Sequence, residues 1–160
     1  MRSRFPPTIE NSTISYGYIY GVWAESGSSP TIRNSTIANN TQDGLWFGGS
    51  AAPILESNTV SSNGRYGVYA DGSSLPTISN STFSNNSNVS LYLPAPAVQR
   101  TSGNTFFGSA TNNTIYVSGG IVSKSGTWPY EGATYLIGGS VSVQGNLAPT
   151  LTIKIGRAHV

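Results

Sequence analysis

The sequence predicts an all-β solenoid of stacked parallel coils, and three observations lead to this prediction. A proline followed by two residues of strand type recurs at Pro7, Pro30, Pro53 and Pro76, with a constant step of 23 residues. Val, Ile, Thr and aromatic residues, which suit strands, alternate with Asn, Gly, Ser and Pro, which suit turns. No apolar stretch has the length or spacing of an ordinary helix.

Each 23-residue copy holds three short apolar segments separated by turn residues, so one copy makes one coil. Successive coils then stack in parallel about 4.8 Å apart, and each coil covers the apolar side chains of its neighbours. We expect about five coils over residues 6–121, of which the fifth gains about one residue after Phe106. The buried stack is predicted to contain Ile14, Ile37, Val60, Phe83 and Phe106.

Two columns of turn residues accompany the apolar columns. The first contains Asn11, Asn34, Ser57, Asn80 and Gly103, and its Asn and Gly residues predict a tight turn with positive φ, which these two types accept most readily. The second contains Gly21, Gly44 and Gly67, which precede the third segment of their coils, and we expect the same conformation there.

The units Pro30-Thr-Ile-Arg-Asn-Ser-Thr-Ile-Ala-Asn-Asn and Gly67-Val-Tyr-Ala-Asp-Gly-Ser-Ser resemble the right-handed parallel β-helix repeat of the pectate-lyase-like superfamily. This resemblance covers residues 6–121 and implies a right-handed parallel β-helix. The superfamily includes lyases, hydrolases, epimerases, adhesins and other surface proteins. The resemblance therefore does not select one activity.

The rest of the chain departs from the 23-residue pattern. Residues 122–154 resemble the opening segment of a further β-helix array of the same superfamily. Residues 155–160, which contain the only histidine, His159, match the translation of a common sequencing adapter and are predicted to be a non-native tail. We interpret the chain as an internal fragment of a longer secreted or cell-surface protein, whose further coils are its partners.

Composition excludes several classes of function. Only 9% of the residues are charged, and the net charge is +2. The charged residues are scattered along the chain, which argues against a nucleic-acid partner. The chain has no cysteine, which excludes disulfide scaffolds and thiol catalysis. No apolar run approaches the roughly 18 residues that a membrane span needs, so we expect no membrane insertion. We expect no cofactor and no metal.

An outward column of aromatic residues is the strongest candidate site. Strand alternation in the third segment places one ring per coil on the surface. Such rings could stack on the sugars of a glycan chain, or they could form a ladder that stabilises the sheet. The five predicted ligand-binding residues are Trp23, Trp46, Tyr69, Tyr92 and Tyr116.

Catalytic signals are weaker. Glu25 and Asp71 share a column two coils apart, near the upper separation of an inverting glycosidase pair, and Arg65 is the nearest basic partner for Asp71. No histidine or basic cluster accompanies this pair, and we expect no catalytic residues in the chain. The column of Glu10, Arg33 and Glu56 alternates in charge and predicts a surface charge ladder.

A threonine column allows two interpretations. Thr13, Thr36, Thr59, Thr82 and Thr105 recur at the same position of each copy. Flat threonine arrays on solenoids can bind ice, but we favour a hydroxyl ladder within the sheet.

These observations predict a non-catalytic extracellular or cell-surface β-helix segment that presents a rigid binding face to a polysaccharide. The alternative is a fragment of a polysaccharide lyase or glycoside hydrolase whose catalytic coils lie outside this chain.

Overall fold

The computed structural model describes residues 6–108, 112–154 and 156, and it is an all-β parallel solenoid of about six turns. The predicted fold class is therefore confirmed. Of the predicted tail, Ile155 and residues 157–160 lie outside the described residues. No described helix is long and apolar enough to cross a membrane.

Each of the first four coils contributes three strands of three residues. Coils 1 and 2 consist of β1 (Thr8–Glu10), β2 (Thr13–Ser15), β3 (Val22–Ala24), β4 (Thr31–Arg33), β5 (Thr36–Ala38) and β6 (Leu45–Phe47). Coils 3 and 4 consist of β7 (Ile54–Glu56), β8 (Thr59–Ser61), β9 (Val68–Ala70), β10 (Thr77–Ser79), β11 (Thr82–Ser84) and β12 (Leu91–Leu93). A single helical turn, α1 (Ala95–Val98), follows.

The later coils keep the parallel stacking but change its layout. They consist of β13 (Thr101–Ser102), β14 (Thr105–Phe107), β15 (Thr114–Val117), β16 (Gly120–Val122), β17 (Gly126–Trp128), β18 (Thr134–Ile137), β19 (Val141–Val143) and β20 (Leu151–Ile153). The predicted one-residue gain is confirmed, because Tyr92 of β12 pairs with Tyr116 of β15.

Three parallel sheets run along the solenoid. The first sheet has the order β1-β4-β7-β10-β13, the second β2-β5-β8-β11-β14, and the third β3-β6-β9-β12-β15-β18. In addition, β16 pairs with β19 and β17 with β20 in two short sheets. The third sheet thus runs across residue 121, where the boundary with a second array remains a prediction.

The core consists of apolar columns that stack between the sheets. In the second sheet Ile37, Val60, Phe83 and Phe106 are buried, and the rings of Phe83 and Phe106 stack at 5.4 Å. Ile14 is only half-buried, because its coil has a neighbour on one side among the described residues. Each fully buried side chain of this kind contributes about 1.5–3 kcal/mol.

Buried polar ladders run beside the apolar columns. The side-chain amide of Asn40 donates to Asn63, and that of Asn63 donates to Asn86, each at 2.9 Å. On the other side of the second sheet, backbone amides of Ser35, Asn58 and Ser81 donate to side chains of the next coil. Every coil is therefore joined to the next by side-chain bonds as well as by the sheets.

The residue types in the two turn columns have different physical reasons. Asn11, Asn34, Asn80 and Gly103 have φ between 49° and 66°, as predicted. The expectation of positive φ at Gly21, Gly44 and Gly67 is wrong, because none of them lies among the residues with positive φ. A Cβ on Gly44 would lie 2.8 Å from the carbonyl oxygen of Gly67, so this column is glycine because the coils approach closely there.

Candidate binding face on the third sheet

The outward positions of the third sheet bring the five predicted aromatic residues into one column. The middle residue of each strand points outward, because its two neighbours are the buried ones. The rings pair in register from coil to coil, in the order Trp23, Trp46, Tyr69, Tyr92 and Tyr116.

The rings in this column cover one another. Tyr69, Tyr92 and Tyr116 have centroid separations of 4.8 and 4.7 Å and interplanar angles of 23° and 11°. Trp46 stacks on Tyr69 at 5.9 Å. Trp23 instead meets Trp46 edge to face and is 62% exposed. The column is therefore a stacked ladder that offers ring edges along its length and one well-exposed ring at Trp23.

A second file of rings lies beside the first. Tyr20 stacks on Trp46 at 5.9 Å, and Tyr66 contacts both Tyr69 and Tyr92. Burial raises the pKa of the Tyr69 and Tyr92 hydroxyls. These phenols therefore stay protonated at neutral pH and can donate a hydrogen bond.

Arg65 is held at the edge of the rings by a buried carboxylate. Its Nε and Nη2 atoms donate to the two carboxylate oxygens of Asp43 at 2.8 and 2.6 Å, and Asp43 is fully buried. The hydrogen bond with Asp43 raises the pKa of Arg65. The guanidinium also lies 4.8 Å from the ring centroid of Tyr66. The suggested partnership with Asp71 is wrong, because Arg65 pairs with Asp43.

A groove of about 530 Å³ opens where the ring column meets the sixth coil. Tyr66, Tyr92, Tyr116 and Leu136 form its apolar walls, and Leu136 follows Tyr116 in the column because β18 pairs with β15. Asn88, Thr114 and Thr134 add polar groups. The 23-residue repeat does not reveal this groove, because Leu136 lies in residues 122–154, which depart from that repeat.

Asp71, one of the two carboxylates considered as a glycosidase pair, has structural partners. Asp71 accepts hydrogen bonds from the backbone amide of Gly49 and from the backbone and hydroxyl groups of Ser73 and Ser74. Burial raises the pKa of Asp71, but these bonds outweigh it and the pKa is lowered. Asp71 thus caps a turn, and a low pKa does not suit a general acid.

The charge ladder forms in part. Glu10 and Arg33 make an ion pair at 2.6 Å, and the backbone pairing of β4 with β7 places Glu56 beside Arg33. In the described part of the chain, no three or more His, Cys, Asp or Glu side chains form a group that could hold a metal ion.

Comparison with known proteins gives one family. The family model described as a right handed beta helix region matches residues 2–147. Neither the curated proteins nor the solved structures gave a match.

Proposed function

The chain belongs to the right-handed β-helix family. We propose that it is a non-catalytic segment that presents a rigid face to a polysaccharide outside the cell. The observation that supports the proposal is the groove beside the ring column. Its tyrosine and leucine walls suit the C–H faces of sugars. Its asparagine and threonine side chains suit hydrogen bonding with sugar hydroxyls. A small number of polar groups among apolar walls is typical of ligand sites.

The stacking of the rings changes how a glycan would bind. Neighbouring rings in the stack already cover most of the ring faces. A sugar chain would therefore lie in the groove against ring edges and Leu136 rather than flat on each ring. The ladder and the binding face are then compatible roles of one column. Each stacked pair stabilises the sheet by about 0.5–1.5 kcal/mol beyond area burial.

The chain also suits a neutral ligand better than a charged one. Arg65, the cation nearest the rings, is already paired with Asp43. Binding should therefore change little with salt, because no free charge at the groove is screened.

A direct test titrates neutral oligosaccharides of the glucan, mannan, galactan and chitin types, in several chain lengths, against the full chain by calorimetry. We expect at least one series to bind, with affinity that grows with length. Leu136→Ser should weaken binding by at least about tenfold, a loss of about 1.4 kcal/mol.

Ile137→Ser is the matched control. Ile137 follows Leu136 on β18 and is similarly exposed, at 49% against 51%, but it does not line the groove. Equal losses in the two variants, or no binding to any series, would contradict the proposal. New reducing ends or unsaturated products after incubation with a polysaccharide would instead support the lyase or hydrolase alternative.

A further inference from the structure

The outward surface of the second sheet carries a regular array that is separate from the groove. Each coil places a threonine at the first position of its second-sheet strand, and the strand pairing keeps these threonines in register over five coils. Two residues along the strands, Ser15, Ser61 and Ser84 form a second, interrupted file, in which Ala38 and the exposed Phe107 hold the position in the second and fifth coils. We call these two files the threonine face: Thr13, Thr36, Thr59, Thr82, Thr105, Ser15, Ser61 and Ser84.

The hydroxyls of the threonine face have no protein partners among the described residues, although they stand side by side. Other hydroxyls of the same coils are used internally: those of Ser35 and Ser81 donate to backbone carbonyls at 2.8 and 2.9 Å. The expected hydroxyl ladder is therefore wrong. The threonines are in register, but their hydroxyls form no hydrogen bonds with one another and can bond to water.

The turns on either side of the threonine face carry no charged side chain, and the nearest charges are the ladder of Glu10, Arg33 and Glu56 on the first sheet. The turn before it contains Asn11, Asn34, Ser57, Asn80 and Gly103, and the turn after it contains Tyr16, Asn39, Ser62, Asn85 and Gly108. A charged side chain would orient water around itself, and none stands at these positions to disturb the water over the hydroxyls.

Hydrogen-bonded side-chain ladders along both edges of the second sheet hold the threonine face rigid. The amide ladder of Asn40, Asn63 and Asn86 runs along one edge of the second sheet, and the ladder through Ser35, Asn58 and Ser81 runs along the other. Threonine is stiff at χ1. The hydroxyl and methyl groups therefore keep a fixed spacing of about 4.8 Å between coils and about 6.6 Å between files.

We propose that the threonine face binds ice. Immobilising a water molecule costs up to about 2 kcal/mol, so a few scattered hydroxyls order little water. At an ice surface the molecules are already ordered, and a rigid periodic array can contact many of them at once. The affinity then comes from the number of simultaneous weak contacts.

The test measures thermal hysteresis and the partition of the full chain into a slowly growing ice sphere. The disrupting variant is Thr36→Lys with Thr59→Lys, at the first positions of β5 and β8. The matched control is Thr31→Lys with Ile54→Lys, at the first positions of β4 and β7 in the same two coils. Both double variants add the same charge to an outward position of a sheet.

We expect the wild-type chain and the control to enter the ice and to show hysteresis, while the disrupting variant is excluded and shows none. Melting curves establish that both variants are folded. Exclusion of the wild-type chain, or equal losses in the two double variants, would overturn the proposal. Leu136→Ser should leave ice binding unchanged, which separates this proposal from the glycan groove.

Discussion

Two residue-level constraints recur from coil to coil, and their physical causes differ. The Asn11 column needs a residue that accepts a left-handed backbone, with φ of 50° at Asn11 itself. The Gly44 column has an ordinary backbone but no space for a side chain, since a Cβ there would also lie 2.8 Å from the Nδ2 atom of Asn63. A substitution at either column is costly, for unrelated reasons.

Gly44→Ala should destabilise the protein by about 2–3 kcal/mol, because overpacking forces the backbone of the neighbouring coil to shift. Gly72→Ala is the matched control: a Cβ on Gly72 meets nothing within 4 Å. It should leave the free energy of unfolding within about 0.5 kcal/mol. Urea unfolding followed by circular dichroism measures both, and equal effects would contradict the space argument.

Asp71→Asn should cost about 1 kcal/mol at neutral pH, because hydrogen bonds to a charged acceptor become bonds to a neutral one. The pKa of Asp71 is lower in the folded state than its ordinary value of 3.8. Its contribution is therefore present above pH 3.8 and is lost as the pH falls through the folded pKa. Unfolding at neutral pH and at a series of acidic pH values should show the difference between wild type and variant shrinking. A constant difference would contradict this assignment.

Some residue-level features could be predicted from the sequence and others could not. Four of the five residues in the Asn11 column are Asn or Gly, the types that accept positive φ most readily, so the sequence predicts its conformation. The column of Tyr16, Asn39, Ser62 and Asn85 also has positive φ, from 53° to 60°, but its residues vary too much to show it. The pairing of Arg65 with Asp43 joins residues 22 apart on neighbouring coils, and only the register of the stack brings them together.

At the scale of elements, the side-chain ladders end on a residue from the irregular part of the chain. The ladder through Ser35, Asn58 and Ser81 continues to Asn104, and the backbone amide of Asn104 donates to Glu131 at 2.9 Å. Glu131 also accepts from the Asn104 side chain at 3.2 Å. The sixth coil thus satisfies the ladder although its second-sheet strand is missing.

Glu131→Ala should destabilise the protein by about 1–3 kcal/mol, because it leaves the buried amide of Asn104 without its acceptor. Glu131→Gln keeps an oxygen at that position and should recover at least half of the loss. Thermal unfolding of the two variants compares them directly. Equal losses would show that Asn104 does not depend on an acceptor there.

The change of layout at the sixth coil was not predictable from the repeat. Earlier coils place nine residues between the ladder residue and the third strand, as from Ser12 to Val22, whereas Glu131 is followed by Thr134 after two. The shortened connection removes the second-sheet strand. The 23-residue period ends there, and the sequence offered no column by which to align Glu131 with Asn104.

At the scale of the whole molecule, each coil is stabilised by its contacts with the neighbouring coils. Coils 2–4 are covered on both sides, while β1, β2 and β3 have neighbours on one side among the described residues. The stability of such a solenoid is approximately the sum of the stabilities of its coils and of the interfaces between neighbouring coils. A terminal coil has only one interface, so it opens first.

Hydrogen exchange should therefore be slowest at the backbone amides of the central strands β5, β8 and β11. It should be at least about tenfold faster in β1 to β3, which corresponds to a difference of about 1.4 kcal/mol in opening free energy. Mass spectrometry of peptides from exchanged protein measures both regions. Uniform protection from the first coil to the fourth would contradict local opening and indicate that the solenoid unfolds as one unit.

The early end of the second sheet also determines how the molecule carries a mechanical load. Between neighbouring coils from the first to the fifth, a pull along the axis is shared by the backbone bonds of three sheets acting side by side. Between the fifth and sixth coils of the described chain, no strand continues the first or the second sheet. The pairings of β15 with β18 and of β16 with β19 remain, supported by the bond of Glu131 to Asn104. Under tension the same force therefore falls on fewer bonds at that step. The solenoid would part there first and leave its first five coils intact.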